Sequence, residues 1–498
     1  MRLAIGASRA QIARQLLIES LTLAIAGMLT GAGLAPILSR ALIAAISTNQ
    51  DRVFLSLPLD WRVLIFTASL ALLTCIVFGL APALQAAKTE PGAALKAGGL
   101  RLTAGQQLLF LRRGLVVFQV ALSLLLVLGA VLFVRTFENL ASLNVGFNPE
   151  HVLVAEFDAT PLRVPVQRRQ EFNREVLERV RGIAGVRAAA RTMIVPLSGD
   201  NWNEFIDIPG TNLRRKLVNF NEVSSDYFRT LGVPMLAGED FKPSDTLSSL
   251  PVAVVNQSFA EAFLGGLNAV GKTFGLRQDG GRPDKLFRVA GVAANTKYGN
   301  VREAFGPIVF VPYSQDAAPD PDSTILIRSD VDTSSLTAAL RAIAAKNDPR
   351  IVLDFSMLKD SIGTTLRRER LMAQLSGFYG LLAVVLITVG LYGIMSYIVV
   401  CRTSEIGVRM ALGASRTRIL GVVAADAMAM LATGTALGLA LAFAAGHAVQ
   451  ALLYDLKPTD PICLVIAVSG VAVVALAASL IPARRAANLN PIEALRAG

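Results

Sequence analysis

Long apolar runs at the two ends of the chain enclose a polar middle. Six runs contain no Asp, Glu, Lys or Arg, and each has between 20 and 31 residues. About 20 helical residues cross the hydrocarbon core of a bilayer, so each run predicts a transmembrane helix. The six runs are 20–39, 63–87, 114–134, 371–401, 427–454 and 461–483.

The middle of the chain, 137–366, has the pattern of a folded aqueous domain instead. Its longest run without a charged residue, 246–260, has 15 residues and contains Pro251 and Asn256, so it is not expected to span a membrane. Strand-like stretches alternate with helical ones, which indicates an α/β fold. The strand-like stretches are 152–159, 186–196, 287–294, 307–313, 324–329 and 351–356, and the helical patterns cover 166–181, 257–264 and 334–345.

The distribution of charged residues predicts how the chain is oriented across the membrane. Only 17% of the residues are charged, and the net charge is +11. The middle, 137–366, carries 25 Lys and Arg against 27 Asp and Glu, so the excess of basic residues lies in the apolar portion. Basic connectors between apolar runs stay in the cytoplasm, whereas a nucleic-acid binder would place its basic residues on a polar face. We therefore predict a multi-pass protein of the inner membrane, with both termini cytoplasmic, 137–366 extracytoplasmic and no nucleic-acid partner.

The chain also contains an internal duplication. RLAIGASR (2–9) matches RMALGASR (409–416) at six of eight positions, and 80–98 matches 480–498 at ten of nineteen. The second copy, roughly 103–498, has one span, the external domain and three more spans, whereas the first copy has only the last two spans. The sequence therefore suggests the back part of a longer duplicated protein, cut by a gene prediction or by a genuine split.

These features predict a membrane α-helical fold with six transmembrane helices and one large α/β extracytoplasmic domain. The tail of the first copy has spans at 16–46 and 62–87, and the last domain has spans at 371–401, 419–453 and 461–483. The predicted segments are 1–98 for the first-copy tail, 99–113 for a cytoplasmic linker, 114–136 for one span, 137–366 for the external domain and 371–498 for the last three spans.

The order of spans, together with RTSEIGVRMALGASR (402–416), resembles the FtsX-like, MacB-type ABC transporter permeases. The duplication resembles their double-length branch. Further matching stretches include VSSDYFRTLGVPMLAGEDF (223–241), FYGLLAVVLITVGLYGIMSY (378–397) and the ending IPARRAANLNPIEALR. The resemblance implies a non-enzymatic permease, which couples ATP hydrolysis by a separate ABC ATP-binding subunit to movement of the external domain. A membrane anchor or signal transmitter that regulates an envelope enzyme or sensor is the alternative.

The resemblance also implies that 403–416 forms a coupling helix that docks on the ATP-binding subunit. Apolar and charged residues alternate there, as a docking helix requires, although an amphipathic segment lying along the membrane surface would show the same pattern. The predicted coupling residues are Glu405, Ile406, Gly407, Arg409, Met410, Gly413 and Arg416, with a partial copy at Arg2, Gly6 and Arg9. Other expected partners are membrane lipid, a second permease chain or a missing N-terminal half, and an extracytoplasmic protein.

Two features recur in the apolar spans of both copies. Gly27 and Gly31 correspond to Gly434 and Gly438, and such small-xxx-small pairs predict faces for close helix packing. Glu19 corresponds to Asp426. An acid near a helix N-terminus is favoured by the helix dipole and can pair with nearby Arg14 or Arg418, which explains these acids better than a proton relay does.

Residues 266–273, GLNAVGKT, satisfy the phosphate-binding pattern G-x-x-x-x-G-K-T. A helix is predicted before this loop and helix-breaking residues after it, which is the wrong order for nucleotide binding. The chain has two histidines, His151 and His447, which are far apart and have no clustered carboxylates or cysteines. We therefore predict no catalytic residue, no metal site and no cofactor.

Overall fold

The computed structural model describes residues 9–46, 61–76, 101–277, 285–401, 403, 408–410, 412 and 415–487. The chain divides into two compact units. Residues 1–134 and 371–498 form the membrane unit, and residues 135–370 form the external unit.

The membrane unit is built from long apolar helices. Five of them contain a stretch long and apolar enough to cross a membrane, among the described residues. A shorter apolar helix covers the start of the predicted span 62–87, the rest of which lies outside the described residues, so the number six remains a prediction. The first three helices are α1 (Arg9–Ile46), α2 (Trp61–Cys75) and α3 (Arg101–Ala141). Three more come after the external unit in the chain and cover Arg367–Cys401, Arg416–Gln450 and Pro461–Ala487; they are numbered below, after the helices of the external unit.

Strands and helices of the external unit follow the α/β pattern that the sequence predicts. The strands are β1 (Val152–Asp158), β2 (Val186–Thr192), β3 (Asn203–Asp207), β4 (Lys216–Val223), β5 (Met235–Gly238), β6 (Val252–Asn256), β7 (Thr273–Leu276), β8 (Lys285–Ala293), β9 (Ile308–Pro312), β10 (Ser323–Ser329) and β11 (Val352–Met357). The helices are α4 (Val166–Arg181), α5 (Tyr227–Leu231), α6 (Gln257–Phe263), α7 (Thr333–Asn347) and α8 (Leu358–Thr365), and the last three membrane helices are then α9 (Arg367–Cys401), α10 (Arg416–Gln450) and α11 (Pro461–Ala487). The predicted fold class, membrane helices with a large α/β domain, is confirmed.

The strands pair into one continuous sheet that closes on itself at one end. The order β11–β1–β10–β2 forms an antiparallel portion, and α4 and α7 pack their apolar faces against it. The order β4–β3–β7–β8–β6–β9 forms a ring, because β9 pairs back to β4 in parallel. Four buried phenylalanines, Phe220, Phe259, Phe274 and Phe287, fill this ring. The ring therefore has its own core, distinct from the core under α4 and α7.

Helices α3, α9, α10 and α11 share one hydrophobic core. Val120 and Leu124 of α3 are each 1% exposed, and they belong to the same cluster as Ile387, Met430 and Val471. Helix α1 has no buried residue in its most apolar window, and it packs against α2. The last three helices thus form a bundle with α3, and α1 and α2 form a separate pair.

Candidate functional site

The predicted coupling segment connects α9 to α10. Four of its predicted residues, Glu405, Ile406, Gly407 and Gly413, lie outside the described residues, as do Arg2 and Gly6 of the partial copy. Arg409 and Met410 lie in a short helical stretch, whereas Arg416 and Arg9 are the first residues of α10 and α1.

The described part of this segment has an inner side and an outer side. Met410 is half-buried and packs against the core of the membrane bundle. Val408 is 46% exposed and Leu412 is 83% exposed, although both are large apolar residues. Both side chains therefore lie on the surface of the described part of the segment.

The second-copy glycines lie directly against α3. A Cβ added at Gly434 would lie 2.7 Å from the Val120 side chain and 3.0 Å from the Val117 carbonyl oxygen. A Cβ added at Gly438 would lie 2.9 Å from the Ala121 carbonyl oxygen. These distances are too short for a side chain, so the two glycines allow the helix backbones to approach closely.

The first-copy glycines have a different environment. A Cβ added at Gly27 or at Gly31 would have no atom within 4 Å outside its own helix among the described residues. Their role in helix packing therefore remains a prediction, whereas the contact of Gly434 and Gly438 with α3 is a feature of the fold.

Asp426 forms an ion pair with a residue of another helix. Its Oδ2 lies 3.0 Å from Nη2 of Arg113 on α3, and both side chains are partly buried. The sequence suggested Arg418 of the same helix as the partner, but the close packing of α3 and α10 brings Arg113 to Asp426 instead. Glu19 is exposed and has no ion-pair partner among the described residues.

The loop between β8 and β9, residues 294–307, is here named the junction loop. It lies where the chain enters and leaves the external unit. The Lys297 backbone N–H donates to the carbonyl of Val145, four residues after α3 ends, at 2.9 Å. The Arg302 Nε donates to the Glu369 Oε1, in the first turn of α9, at 3.0 Å. One loop of the ring is therefore bonded to both of these chain segments.

Local packing fixes the junction loop. Gly146 has φ +86°, and a Cβ there would lie 2.0 Å from the Asn295 carbonyl oxygen, so only glycine fits. Within the loop, Glu303 Oε1 accepts the backbone N–H groups of Tyr298 and Gly299. The Lys297 ammonium donates to the Glu303 carbonyl and lies over the Phe305 ring, and burial lowers the pKa of this lysine. The loop is thus an ordered connection.

A cleft of about 740 Å³ opens beside α4, between that helix and the loop that follows β5. Its wall includes Arg191, whose guanidinium lies 3.8 Å from the centre of the Tyr313 ring and donates to Glu222 at 2.8 Å. Burial raises the pKa of Glu222 to about 7, and the attraction of Arg191 only partly opposes this effect. Sequence reasoning missed this pair: Arg191 is a charged residue inside a predicted strand, but the strand that carries Glu222 was not predicted.

The elements around the phosphate-binding pattern at 266–273 are in the opposite order to those of a nucleotide-binding loop, which follows a strand and begins a helix. Helix α6 precedes it and strand β7 follows it. The backbone N–H of Gly271 donates to Val289, that of Lys272 donates to Ala269, and the Lys272 ammonium donates to Leu264. These donors are used within the fold, so the segment is a structural turn. Among the described residues, no group of three His, Cys, Asp or Glu side chains could hold a metal ion.

Two family models match the chain. The model of the FtsX-like permease C-terminal domain matches residues 1–91 and 377–491, and that of the MacB-like periplasmic core domain matches 114–343. The FtsX-like model thus matches both copies of the internal duplication.

Individual proteins are similar over part of the chain. The macrolide export ATP-binding/permease protein MacB of Agrobacterium fabrum is 30% identical over 292 residues, which are 55% of this chain and 42% of that protein. A probable export ATP-binding/permease protein of Pseudomonas fluorescens is 27% identical over 335 residues, which are 62% of this chain and 50% of that protein. The chain thus spans half or less of the length of these curated relatives. The crystal structure of the periplasmic region of MacB from Actinobacillus actinomycetemcomitans is 16% identical, with a TM-score of 0.30, and covers 45% of this chain and 97% of that one.

The apolar helices and the periplasmic-type domain make this a multi-pass membrane protein with an extracytoplasmic segment. The two family models together account for the membrane helices of both copies and for the external unit. The chain is therefore a member of the FtsX/MacB-type ABC transporter permeases.

Proposed function

We propose that this permease couples ATP hydrolysis by a separate ATP-binding subunit to movement of its extracytoplasmic domain. The observation that carries the proposal is the junction loop. It is bonded both to the segment that follows α3 and to the first turn of α9, and it belongs to the ring of strands. Val145 and Glu369 both belong to the external unit, and each lies a few residues from the membrane portion of the chain, so the proposal assigns to this loop the transfer of movement to the ring.

The segment between α9 and α10 is the proposed docking site for the ATP-binding subunit. Met410 holds the segment on the bundle core, while Val408 and Leu412 remain available to a partner. The positive-inside rule puts this connector in the cytoplasm, where an ATP-binding subunit would be found. Exposed apolar residues with a charged rim fit a protein groove better than they fit water.

The names of the relatives suggest a direction of transport. Relatives are named for macrolide export or for export in general. We propose efflux as the process that the permease serves, with the external unit as the part that moves.

The docking role is tested by co-expressing the chain with the ATP-binding subunit from its own source. Replacing both Val408 and Leu412 by serine should abolish co-purification and stimulated ATPase activity, since both side chains are exposed and their loss leaves the bundle intact. The matched control is Arg484→Gln, an exposed residue in the last turn of α11. Unchanged assembly and ATPase activity in the serine variant would reject the docking site.

The transmission role needs a separate measurement. Arg302→Gln removes the charged contact to Glu369, and Arg350→Gln removes an exposed pair with Asp348 as the control. In the assembled complex, hydrogen exchange of the junction loop should change on addition of ATP in the wild-type protein and in the control, but less in Arg302→Gln. An equal ATP response in all three proteins would show that the loop does not transmit movement. An ATP response of an external enzyme or sensor with no solute movement would instead support the signal-transmitter alternative.

A further inference from the structure

The geometry points to the cleft beside α4 as a binding site for a small organic acid that carries an amide N–H next to its carboxylate, as an N-acylated amino acid does. This cleft is here named the α4 cleft. The inference does not depend on ATP coupling, because it is based on side chains that line the cleft within the external unit.

The α4 cleft has the size and the mixed lining of a small-molecule site. Its volume of about 740 Å³ lies within the range of about 300–1,000 Å³ that is usual for ligand pockets. One wall is a face of α4 that includes the buried Leu177, and another is the loop after β5, which contributes the buried Phe241 and the exposed Leu247. Both walls therefore offer apolar contacts to the body of a ligand.

Two polar side chains that line the cleft are buried and have an unpaired atom. Arg191 is 4% exposed and Asn173 is 2% exposed. Among the described residues, Nε of Arg191 and Oδ1 of Asn173 have no hydrogen-bond partner. A buried polar atom without a partner is destabilising, so a ligand that supplies the partners of both atoms is bound more tightly for that reason.

Both side chains belong to one cluster around the Tyr313 ring. The guanidinium of Arg191 lies 3.8 Å from the centre of the ring, and Nδ2 of Asn173 donates to the Tyr313 hydroxyl at 2.8 Å. Arg191 also donates from Nη1 to Glu222 at 2.8 Å and from Nη2 to the Asp322 carbonyl at 3.3 Å. These contacts hold the unpaired donor and the unpaired acceptor in place before a ligand binds.

The unpaired donor favours an anionic acceptor. A guanidinium keeps its charge throughout the physiological pH range, and its N–H groups bind carboxylates especially well. Glu222 is the ion-pair partner of Arg191, but burial raises the pKa of this carboxyl to about 7. At pH 6 Glu222 is therefore mostly protonated, and a ligand carboxylate at Nε of Arg191 would balance the buried positive charge.

The unpaired acceptor determines the second feature of the ligand. Oδ1 of Asn173 accepts a hydrogen bond from an N–H or O–H group. In an N-acylated amino acid, one carbon atom separates the amide nitrogen from the carboxylate, so the same end of the ligand carries both groups. A cation would be repelled by Arg191, and an apolar molecule would leave both buried atoms unpaired.

The first experiment measures the binding of dansylglycine to the full chain in bilayer nanodiscs at pH 6, with empty nanodiscs as the blank. This probe has a carboxylate and an adjacent sulfonamide N–H on an aromatic body. Dansylglycinamide lacks the carboxylate, and dansylsarcosine lacks the N–H. We expect dansylglycine to bind about tenfold more tightly than dansylglycinamide and about threefold more tightly than dansylsarcosine.

Equal binding of dansylglycine and dansylglycinamide would overturn the proposal, because Arg191 would then not recognise a carboxylate. Equal binding of dansylsarcosine would overturn the role of Asn173. If none of the three probes shows saturable binding, the proposal is also wrong, since water alone would then satisfy both atoms.

The variant Arg191→Lys tests the recognition of the carboxylate. Lysine keeps a positive charge beside Glu222 but has no planar group with an N–H at the position of Nε. Dansylglycine should bind this variant about tenfold more weakly, whereas dansylglycinamide should bind it as it binds the parent. The control is Arg187→Lys, an exposed arginine of the same strand that pairs with Asp330 and does not line the cleft. Unchanged affinity of Arg191→Lys for dansylglycine would refute the site.

The position of the bound probe is tested without a change to the buried cluster. In a chain whose three cysteines are replaced by alanine, Leu247→Cys places a thiol on the cleft wall, and Leu250→Cys places one on the same loop but outside the lining. The native side chains are 53% and 73% exposed, so both variants should keep the fold.

Dansylglycine at about ten times its Kd should slow the alkylation of Leu247→Cys by iodoacetamide about tenfold and leave that of Leu250→Cys unchanged. The same rate change at both positions, or none at either, would show that the probe binds elsewhere and would overturn the α4 cleft as the site.

Discussion

The helix pairs α1–α2 and α10–α11 correspond to each other in the internal duplication, but their surroundings differ. Both contain an acid in the apolar span and two glycines four residues apart. In the second pair these residues hold α3 through an ion pair and close backbone contact, whereas in the first pair they are exposed. Two glycines four residues apart therefore allow a second helix to pack closely, but they contribute to stability only where such a helix is present.

The largest expected effect comes from filling a glycine in the second pair. Gly434→Leu should destabilise the membrane bundle by about 3 kcal/mol, because the side chain would overlap Val120 and the Val117 carbonyl. Gly27→Leu, the equivalent change in the first pair, should leave the unfolding free energy of the isolated chain unchanged. Unfolding of both variants in mixed micelles provides the measurement. Equal losses in the two variants would remove the distinction between the pairs.

A smaller effect is expected in the external unit, which serves as a reference outside both pairs. Burial raises the pKa of Glu222 to about 7 from an ordinary value of 4.5, so the folded state binds the proton more tightly than the unfolded state does. The contribution of Glu222 to the free energy of unfolding of this unit should therefore be highest below about pH 4.5. This contribution should fall by about 1–3 kcal/mol as the pH rises to 7. Glu222→Gln should remove this part of the pH dependence.

The fluorescence of Trp202 reports on this change, because it lines the same small cavity as Glu222. The chain has two tryptophans, so Trp61→Phe provides a background in which Trp202 is the single emitter. The same pH dependence in Glu222→Gln and in the parent would contradict the buried carboxyl as its cause. The cost of Gly434→Leu should be equal at both ends of this pH range, since Glu222 belongs to the external unit.

The next effect concerns the acids of the two pairs. Asp426→Asn should cost about 1 kcal/mol, because it leaves the partly buried Arg113 without its carboxylate. Glu19→Gln should change the stability of the isolated chain by less than about 0.5 kcal/mol, since Glu19 is exposed. A double-mutant cycle with Arg113→Gln isolates the pair energy. A coupling energy of zero would mean that Asp426 and Arg113 do not stabilise the packing of α10 on α3.

In the external unit the sequence pattern predicted some helices and strands correctly and missed others. The charged stretch 166–181 was predicted as a helix and is α4, and 152–159 was predicted as a strand and contains β1. Strands β3, β4, β5 and β7 were not predicted. Strands β3, β5 and β7 have only four or five residues, and such short stretches of mixed polarity carry little periodicity. Their closure into a ring depends on pairings between residues far apart in sequence, such as Asn219 with Ile308.

Some features of the candidate site could also be predicted from the sequence, and others could not. The duplication and the spacing of Gly434 and Gly438 were visible in the sequence, but the partner of Asp426 was not, because an ion pair across two helices depends on how the helices pack. The pair Arg191 and Glu222 and the contacts of the junction loop were also invisible, since each joins residues that only the folded sheet brings together.

The sequence by itself determined the apolar spans, the α/β character of the external unit, the duplication and the family resemblance, whereas the orientation of the termini stays a prediction from the basic connectors. These properties follow from local composition, periodicity and self-similarity, which need no knowledge of distant contacts. The tertiary structure alone decided that α3 packs on α10, that β9 closes the ring on β4, and that one loop is bonded to the segment after α3 and to the first turn of α9. It also decided that the glycines Gly434 and Gly438 lie against α3 whereas their first-copy equivalents, Gly27 and Gly31, are exposed, because close packing depends on which neighbour is present.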